Sequence, residues 1–238
     1  MKTAPALIGA MLIALALPAP ALAQAYQCRV PPDLAMPRAV QPDGPTVRAP
    51  ISGYTLAVSW SPEFCRGKNA RDPDNYQCNG SAGRFGFVLH GLWPESARGK
   101  PPQWCALSPR PSVEDFKANL CMTPVPWLQE HEWAKHGSCM ASTPKDYFKV
   151  AAILWNSLHL PDADRLSKQP GVTMGDLRRA FVTANPGWRE ASIGVRASNG
   201  GWLRELHLCY GKGFKPVACD PRSFGPKNDV PLKVWRGL

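Results

Sequence analysis

The stretch RFGFVLHG, residues 84–91, predicts a β-strand that ends at a histidine, His90. Upstream, YTLAVSW (residues 54–60) alternates large apolar residues with small or polar ones, which is the period of a half-buried strand. ASIGVRAS (191–198) and WLRELHLCYG (202–211) predict two further strands. Beyond His90 the chain continues as Gly-Leu-Trp-Pro, which we expect to form a turn.

Helices lie between these strands. Three of them begin at residues that suit an N-cap or the first helical position: Ser112 for 113–120, Thr143-Pro144 for a helix to about 159, and Thr173 with Asp176 for a helix to 184. Another is predicted over 127–136, with Gly137 as its stop. Because strands precede, flank and follow the helices without βαβ alternation, the sequence predicts an α+β fold. We expect a central antiparallel sheet packed with helices.

The N-terminus has the pattern of a secretory signal peptide. Lys2 precedes an apolar run over residues 7–17, and Ala21-Leu22-Ala23 is a small-x-small cleavage site. The apolar run is too short for a membrane anchor, and prolines interrupt it. We expect residues 1–23 to be removed, 24–50 to form a Pro-rich arm and 51–238 a single catalytic domain. The protein would be secreted or periplasmic, without membrane association.

Cysteine content and charge agree with export. All eight cysteines follow the predicted cleavage site, which fits four disulfides in an oxidising compartment, although spacing alone does not fix their pairing. The net charge of +10 suits a polyanionic partner: nucleic acid, anionic membrane or acidic polysaccharide. A basic surface that serves solubility alone fits the charge nearly as well.

The segment HEWAKHGSC, residues 131–139, resembles the zinc-protease pattern HExxH at first sight. That pattern needs histidines at i and i+4, but Lys135 stands at i+4 and the second histidine is His136. Five helical positions turn a side chain by about 140°. The residues therefore disfavour a metal site, and we expect neither a metal nor a cofactor.

One turn of this helix instead gathers groups that suit phosphate chemistry. Glu132 and His136 are i,i+4 neighbours, and so are His131 and Lys135. They supply a titratable base, a carboxylate and cationic donors. Upstream, His90 stands before Gly91 and Trp93 in FVLHGLWP, so a second histidine leaves a strand in an unusual setting.

HGLWP (90–94) and HEWAKHGSC together resemble the two catalytic segments of the ribonuclease T2 family, also called the Rh/T/S ribonucleases. SPEFC (61–65) and LRELHLCY (203–210) also look like family segments, so the resemblance covers most of residues 51–220. It implies metal-independent endonucleolytic cleavage of single-stranded RNA. The ribose 2′-hydroxyl attacks phosphorus, a 2′,3′-cyclic phosphate forms, and DNA is inert because it lacks the nucleophile.

The resemblance also implies roles for single residues. His136 would be the general base and His90 the general acid, His131 would hold a phosphate oxygen, and Lys135 would stabilise the pentacoordinate state. Glu132 would orient the histidines, and we expect it to pair with His136 or Lys135. Trp93 would stack on a base and Glu95 would hydrogen-bond one. Relatives often carry Phe-Trp where this chain has Leu128-Gln129, and Trp127 is expected in the core.

By the same resemblance Cys65 pairs with Cys78, Cys105 with Cys139, and Cys209 with Cys219, which leaves Cys28 with Cys121. His207 and His159 are expected to be structural, and Arg178 and Arg179 to face solvent. The partner would be RNA and the protein a monomer. Two alternatives remain open: a basic RNA-binding protein or toxin without efficient catalysis, and, more remotely, a zinc hydrolase.

Overall fold

The structure is a computed structural model that describes residues 25–72 and 75–237. The predicted signal peptide lies outside the described residues. The strands are β1 (Ala25–Cys28), β2 (Ile51–Trp60), β3 (Gly83–Phe85), β4 (Phe87–Ser96), β5 (Ile193–Ala197) and β6 (Leu203–Gly211). The helices are α1 (Ser61–Cys65), α2 (Val113–Asn119), α3 (Pro126–Lys135), α4 (Pro144–Asn156), α5 (Ala163–Leu166), α6 (Met174–Ala184) and α7 (Pro221–Phe224). None of these helices is long and apolar enough to cross a membrane.

The four long strands form one antiparallel sheet in the order β4-β2-β6-β5, and β1 pairs with β3 in a small second sheet. The predicted α+β class with a central antiparallel sheet is confirmed. Strands that are distant in sequence are neighbours in this order, because β6 returns to lie beside β2. β6 thereby lies one strand away from β4, which carries His90.

The two faces of the sheet differ because side chains alternate along each strand. Leu56 and Leu208, which are paired across β2 and β6, are fully buried in the main core. That core also takes in apolar side chains of α4 and α6, including Tyr147 and Phe181. Polar side chains from the same strands, such as Ser59, project to the other face. The apolar face forms the main core, and the other face carries polar side chains.

The stretch 84–91 differs from its prediction. It is divided at Gly86 between β3 and β4, and β4 continues to Ser96, so Gly-Leu-Trp-Pro extends the strand and does not form a turn. A proline is tolerated because β4 is an edge strand. Ala57 pairs with Gly91 and Val58 with Leu89, so His90 is the extra residue of a β-bulge. A β-bulge changes the direction of a side chain, and this one turns the His90 ring away from the sheet.

The predicted helix starts are confirmed. The side chains of Ser112, Thr143 and Thr173 each accept a hydrogen bond from the backbone N–H three residues on. The helix predicted over 127–136 is α3; His136 caps it, and a 3₁₀ turn starts at Gly137. A Cβ at Gly137 would collide with the Tyr147 ring, so glycine lets the end of α3 pack against α4.

All four expected disulfides are present: Cys28–Cys121, Cys65–Cys78, Cys105–Cys139 and Cys209–Cys219. Two of these disulfides hold the segments that precede and follow α3. Cys105–Cys139 fixes the turn that follows α3, and Cys28–Cys121 ties the start of the arm to the segment between α2 and α3. Further along the arm, Val47 forms a single β-bridge with Gln103.

Arg178 corrects an expectation, because it is fully buried and does not face solvent. Its guanidinium donates to the carbonyl oxygens of Ile193, Phe224 and Pro226 and to the side chain of Asn228. These acceptors compensate its burial and fasten the C-terminal segment to α6. Arg179 is mostly exposed and pairs with Asp176, as a surface arginine does.

Candidate active site

The two motifs that are 41 positions apart in sequence meet where α3 packs against β4. Nε2 of His90 lies 3.5 Å from Oε1 of Glu132. The indole of Trp93 lies between the two histidines, with its ring centroid 5.3 Å from that of His90 and 5.5 Å from that of His136. The structure therefore assembles His90, Trp93, Glu132 and His136 around one cleft.

His90 is surrounded by carboxylates. Its Nδ1 lies 2.7 Å from Oε1 of Glu205, and its Nε2 faces Glu132. Burial acts to lower the pKa of His90, but the hydrogen bond with Glu205 and the charges of both carboxylates outweigh it and raise the pKa to about 9. His90 is therefore an imidazolium at neutral pH, a form that can donate a proton.

Glu132 is buried and directed across the cleft. Its Oε2 accepts a 2.6 Å hydrogen bond from Nε1 of Trp93. The expected pairing with His136 or Lys135 is wrong: the carboxylate contacts groups of β4, because its side chain faces the sheet. Burial raises the pKa of Glu132 to about 7, against the opposing effects of His90 and Trp93. A Cβ at Gly91 would collide with this carboxylate, so the motif needs a glycine there.

His136 lies just beyond the end of α3 in a different environment. Burial, together with the charges of Lys135, His131 and His90, lowers the pKa of His136 to about 3. The ring is therefore neutral at pH 7. Its Nδ1 is buried and has no hydrogen-bond partner within residues 25–72 and 75–237. A neutral imidazole of this kind can accept a proton.

His131 and Lys135 lie on the side of α3 that faces the arm. His131 stacks on Trp127, with centroids 5.2 Å apart, and meets the edge of Trp104. Nζ of Lys135 lies 2.7 Å from Oδ2 of Asp43 in the arm. Trp127 is 49% exposed, so its predicted core position is wrong; it lies in the first turn of α3, on the same face as His131.

Trp93 and Glu95 lie on β4, two positions apart. Trp93 is half-buried and also meets the edge of His207, 5.3 Å away. Glu95 accepts a 2.8 Å hydrogen bond from the hydroxyl of Thr55, and burial raises the pKa of its carboxyl. Trp93 therefore lies among three histidines, and the roles of both side chains in base binding stay predictions.

Sequence reasoning missed Glu205 and Asp43, and it expected His207 to be structural. His207 lies inside the site, bonded to Glu205 through Nε2 at 3.1 Å. A signal for the strand pair was available: Glu205 and His207 alternate with the apolar residues Leu206 and Leu208, so both face away from the core. Asp43 had no comparable signal, since it lies in an arm without periodicity.

Comparisons with known proteins identify the family and agree with the fold. A model of the ribonuclease T2 family matches residues 52–169, which include both motifs. A ribonuclease of Aeromonas hydrophila is 34% identical over 174 residues, 70% of this chain and 75% of that protein. A probable ribonuclease of Haemophilus influenzae is 32% identical over 193 residues, 75% of this chain and 65% of its own length. The crystal structure of RNase NT in complex with 5′-AMP superposes with a TM-score of 0.58 at 20% identity, over 78% of this chain and 98% of that one.

Proposed function

Because the chain belongs to the ribonuclease T2 family, we propose that it is an endoribonuclease that cleaves single-stranded RNA by transesterification, without a metal ion or cofactor. The 2′-hydroxyl attacks the adjacent phosphorus, a 2′,3′-cyclic phosphate forms, and the 5′-oxygen leaves. The observation that carries the proposal is the opposite charge environment of His90 and His136 on either side of Trp93.

The reaction needs a base and an acid in place at the same pH. His136, neutral at pH 7, takes the proton of the 2′-hydroxyl, and His90, charged at pH 7, gives a proton to the departing 5′-oxygen. Each transfer is worth about 10²–10⁴-fold in rate. Activity should therefore follow a bell-shaped pH profile, with His136 setting the acid limb and His90 the alkaline limb.

The remaining groups act on the charge that develops at phosphorus. Lys135 and His131 place an ammonium group and an imidazole on the side of α3 that faces the arm. Lys135 would stabilise the pentacoordinate phosphorane, and His131 would hold a phosphate oxygen. Glu132 would stabilise and orient His90, its near neighbour. Trp93 and Glu95 would contact a base, for which stacking is worth roughly 1–3 kcal/mol.

We also propose that the enzyme is exported and acts as a monomer. The predicted signal peptide supports export, and four disulfides are typical of an oxidising compartment. Residues 24–50 would be an arm on a single catalytic domain, 51–238.

The test uses protein from Gln24 onward with its disulfides intact. It is incubated in EDTA with an RNA oligonucleotide or its DNA counterpart, beside a His90→Ala, His136→Ala double variant. We expect cleavage of RNA alone, with 2′,3′-cyclic phosphate ends, and no cleavage by the variant. Binding of RNA without cleavage would support the alternative of an RNA-binding protein, and loss of activity in EDTA would support a metal-dependent hydrolase.

A further inference from the structure

Glu205 lies behind His90 on the neighbouring part of the sheet. It is paired across the sheet with Ser59 of β2, and its side chain faces the same polar surface as His90. Its Oε1 lies 2.7 Å from Nδ1 of His90 and accepts a 2.9 Å hydrogen bond from the hydroxyl of Ser59. Its Oε2 lies 3.1 Å from Nε2 of His207. Three donors on three segments of strand thus converge on one carboxylate.

These contacts fix which nitrogen of His90 faces the cleft. With Nδ1–H donated to Glu205, Nε2 is the nitrogen directed towards Glu132 and the position of the substrate. A ring flipped about its Cβ–Cγ bond would present a carbon to the carboxylate and lose the hydrogen bond. The bulge at His90 brings the ring out of the strand, and Glu205 determines its rotation.

We propose that Glu205 is a positioning residue for the acid step: it orients His90 and supplies the negative charge that compensates the imidazolium. This inference rests on the proposed function, in which His90 is the general acid. A carboxylate behind a histidine acts in the same way where a histidine must keep one tautomer and carry a transient charge. His207 would in turn hold the second oxygen of Glu205, which keeps the first in line with His90.

The contacts explain why Glu205, and not Glu132, is suited to this task. Glu132 lies on the reactive side of the ring at a longer distance, 3.5 Å, and it is fully buried with a raised pKa. Glu205 opposes burial with hydrogen bonds from His207 and His90, which hold the pKa of its carboxyl well below the usual range. It therefore stays ionised throughout the pH range in which His90 titrates.

Other charges also face His90. Arg204, beside Glu205 on β6, acts to lower the pKa of His90, and His131 and His136 interact with it from α3. Glu132 acts in the opposite direction, with Glu205. Replacement of Glu205 by a neutral group removes one of the two negative charges that raise the pKa of His90, so that pKa must fall.

The experiment compares Glu205→Gln, which keeps the size of the side chain, with Glu205→Asp, which keeps its charge. Glu114→Gln is the matched control, since it makes the same substitution at an exposed glutamate of α2. For Glu205→Gln we expect kcat on RNA to fall roughly 10- to 100-fold with KM within about threefold, and the alkaline limb to move at least one pH unit lower. Glu205→Asp should keep the limb near its wild-type position, and Glu114→Gln should change neither kcat nor the limb.

A second readout does not depend on activity. The titration of His90 is followed by NMR in the folded, substrate-free protein, with His90→Gln used to assign the resonance. We expect the titration midpoint of His90 to lie at a lower pH in Glu205→Gln and to stay near the wild-type value in Glu205→Asp. An unchanged midpoint in Glu205→Gln, or a kcat that falls equally at every pH, would overturn the proposal. If the wild-type protein did not cleave RNA, the proposed function would fail, and the NMR midpoint would still report whether Glu205 sets the charge of His90.

Discussion

His90 and His136 are the same kind of residue, a few ångströms from the same indole, and their surroundings are opposite. His90 leaves the sheet and contacts carboxylates, Glu205 behind it and Glu132 in front. His136 follows α3, is buried, and lies near the positive charge of Lys135. The pKa of the first is raised to about 9 and that of the second lowered to about 3. The environment, rather than the residue type, divides the two roles that we propose.

The origin of the difference lies in the elements that carry the two residues. The polar face of the sheet presents Glu205, and the inner face of α3 adds Glu132, so a histidine between them gains negative neighbours. The C-terminal end of a helix favours a cation by about 0.3–1 kcal/mol, which alone would raise the pKa of His136. Its lowering from 6.5 to about 3 corresponds to about 5 kcal/mol in the opposite direction. Burial and the nearby cations therefore outweigh the helix dipole.

The largest expected effect separates the acid from the base. His90→Ala and His136→Ala should each reduce kcat on RNA by about 10³–10⁴-fold at neutral pH. On uridine 3′-(4-nitrophenyl phosphate), whose leaving group departs without a proton, His90→Ala should recover most of its activity and His136→Ala should not. The measurement is the release of nitrophenolate by each variant.

The reverse pattern, with recovery in His136→Ala alone, would exchange the two assignments. Equal loss in both variants on both substrates would mean that neither histidine acts as a dedicated acid. His159→Ala is the control, because that histidine is exposed and lies outside the cleft, and its activity should match that of the wild type.

The second largest expected effect concerns Lys135, on the side of α3 that faces the arm. Lys135→Ala should lower kcat by about 10²–10³-fold with a smaller change in KM, since its charge is needed most when the phosphorane forms. Asp43→Asn is the matched comparison: it keeps Lys135 and removes the carboxylate that binds it at 2.7 Å. That variant should lower KM by a few-fold at low salt, an effect that shrinks as salt is added. If Lys135→Ala raised KM with kcat unchanged, Lys135 would serve binding alone.

The same comparison shows how far the sequence could be read. The alternation in YTLAVSW and the capping residues Ser112, Thr143 and Thr173 are local signals, and the strand and helices form where they indicate. The two catalytic motifs could be found because each gathers unusual residues within ten positions. The pairing of His90 with Glu205, 115 positions later, depends on β6 returning beside β2, which no local pattern specifies.

Other features that the sequence did not predict also depend on contacts between distant segments. The bulge at His90 depends on the register between β2 and β4, and the burial of Arg178 depends on carbonyl groups from a distant C-terminal segment. Trp127 was expected in the core because it is large and apolar, but its position on α3 directs it along the His131 face. In each case tertiary contacts override what the residue type alone suggests.

The smallest expected effect is on the free energy of unfolding. The contributions of His90 and His136 to it should depend on pH in opposite directions. The pKa of His90 is raised in the folded state, so its contribution is complete below pH 6.5 and is lost as the pH rises through about 9. The pKa of His136 is lowered, so the unfolded chain binds the proton more readily between pH 6.5 and about 3, and stability falls as the pH falls through that range.

Urea unfolding of the wild type, His90→Asn and His136→Asn, with disulfides intact, measures both contributions. Between pH 6.5 and 9.5, we expect the wild type to lose on the order of 2 kcal/mol of unfolding free energy relative to His90→Asn. Between pH 6.5 and 4, it should lose a similar amount relative to His136→Asn. If both differences changed in the same direction with pH, the opposite environments would not exist in solution, and the division of acid and base between the two residues would lose its physical basis.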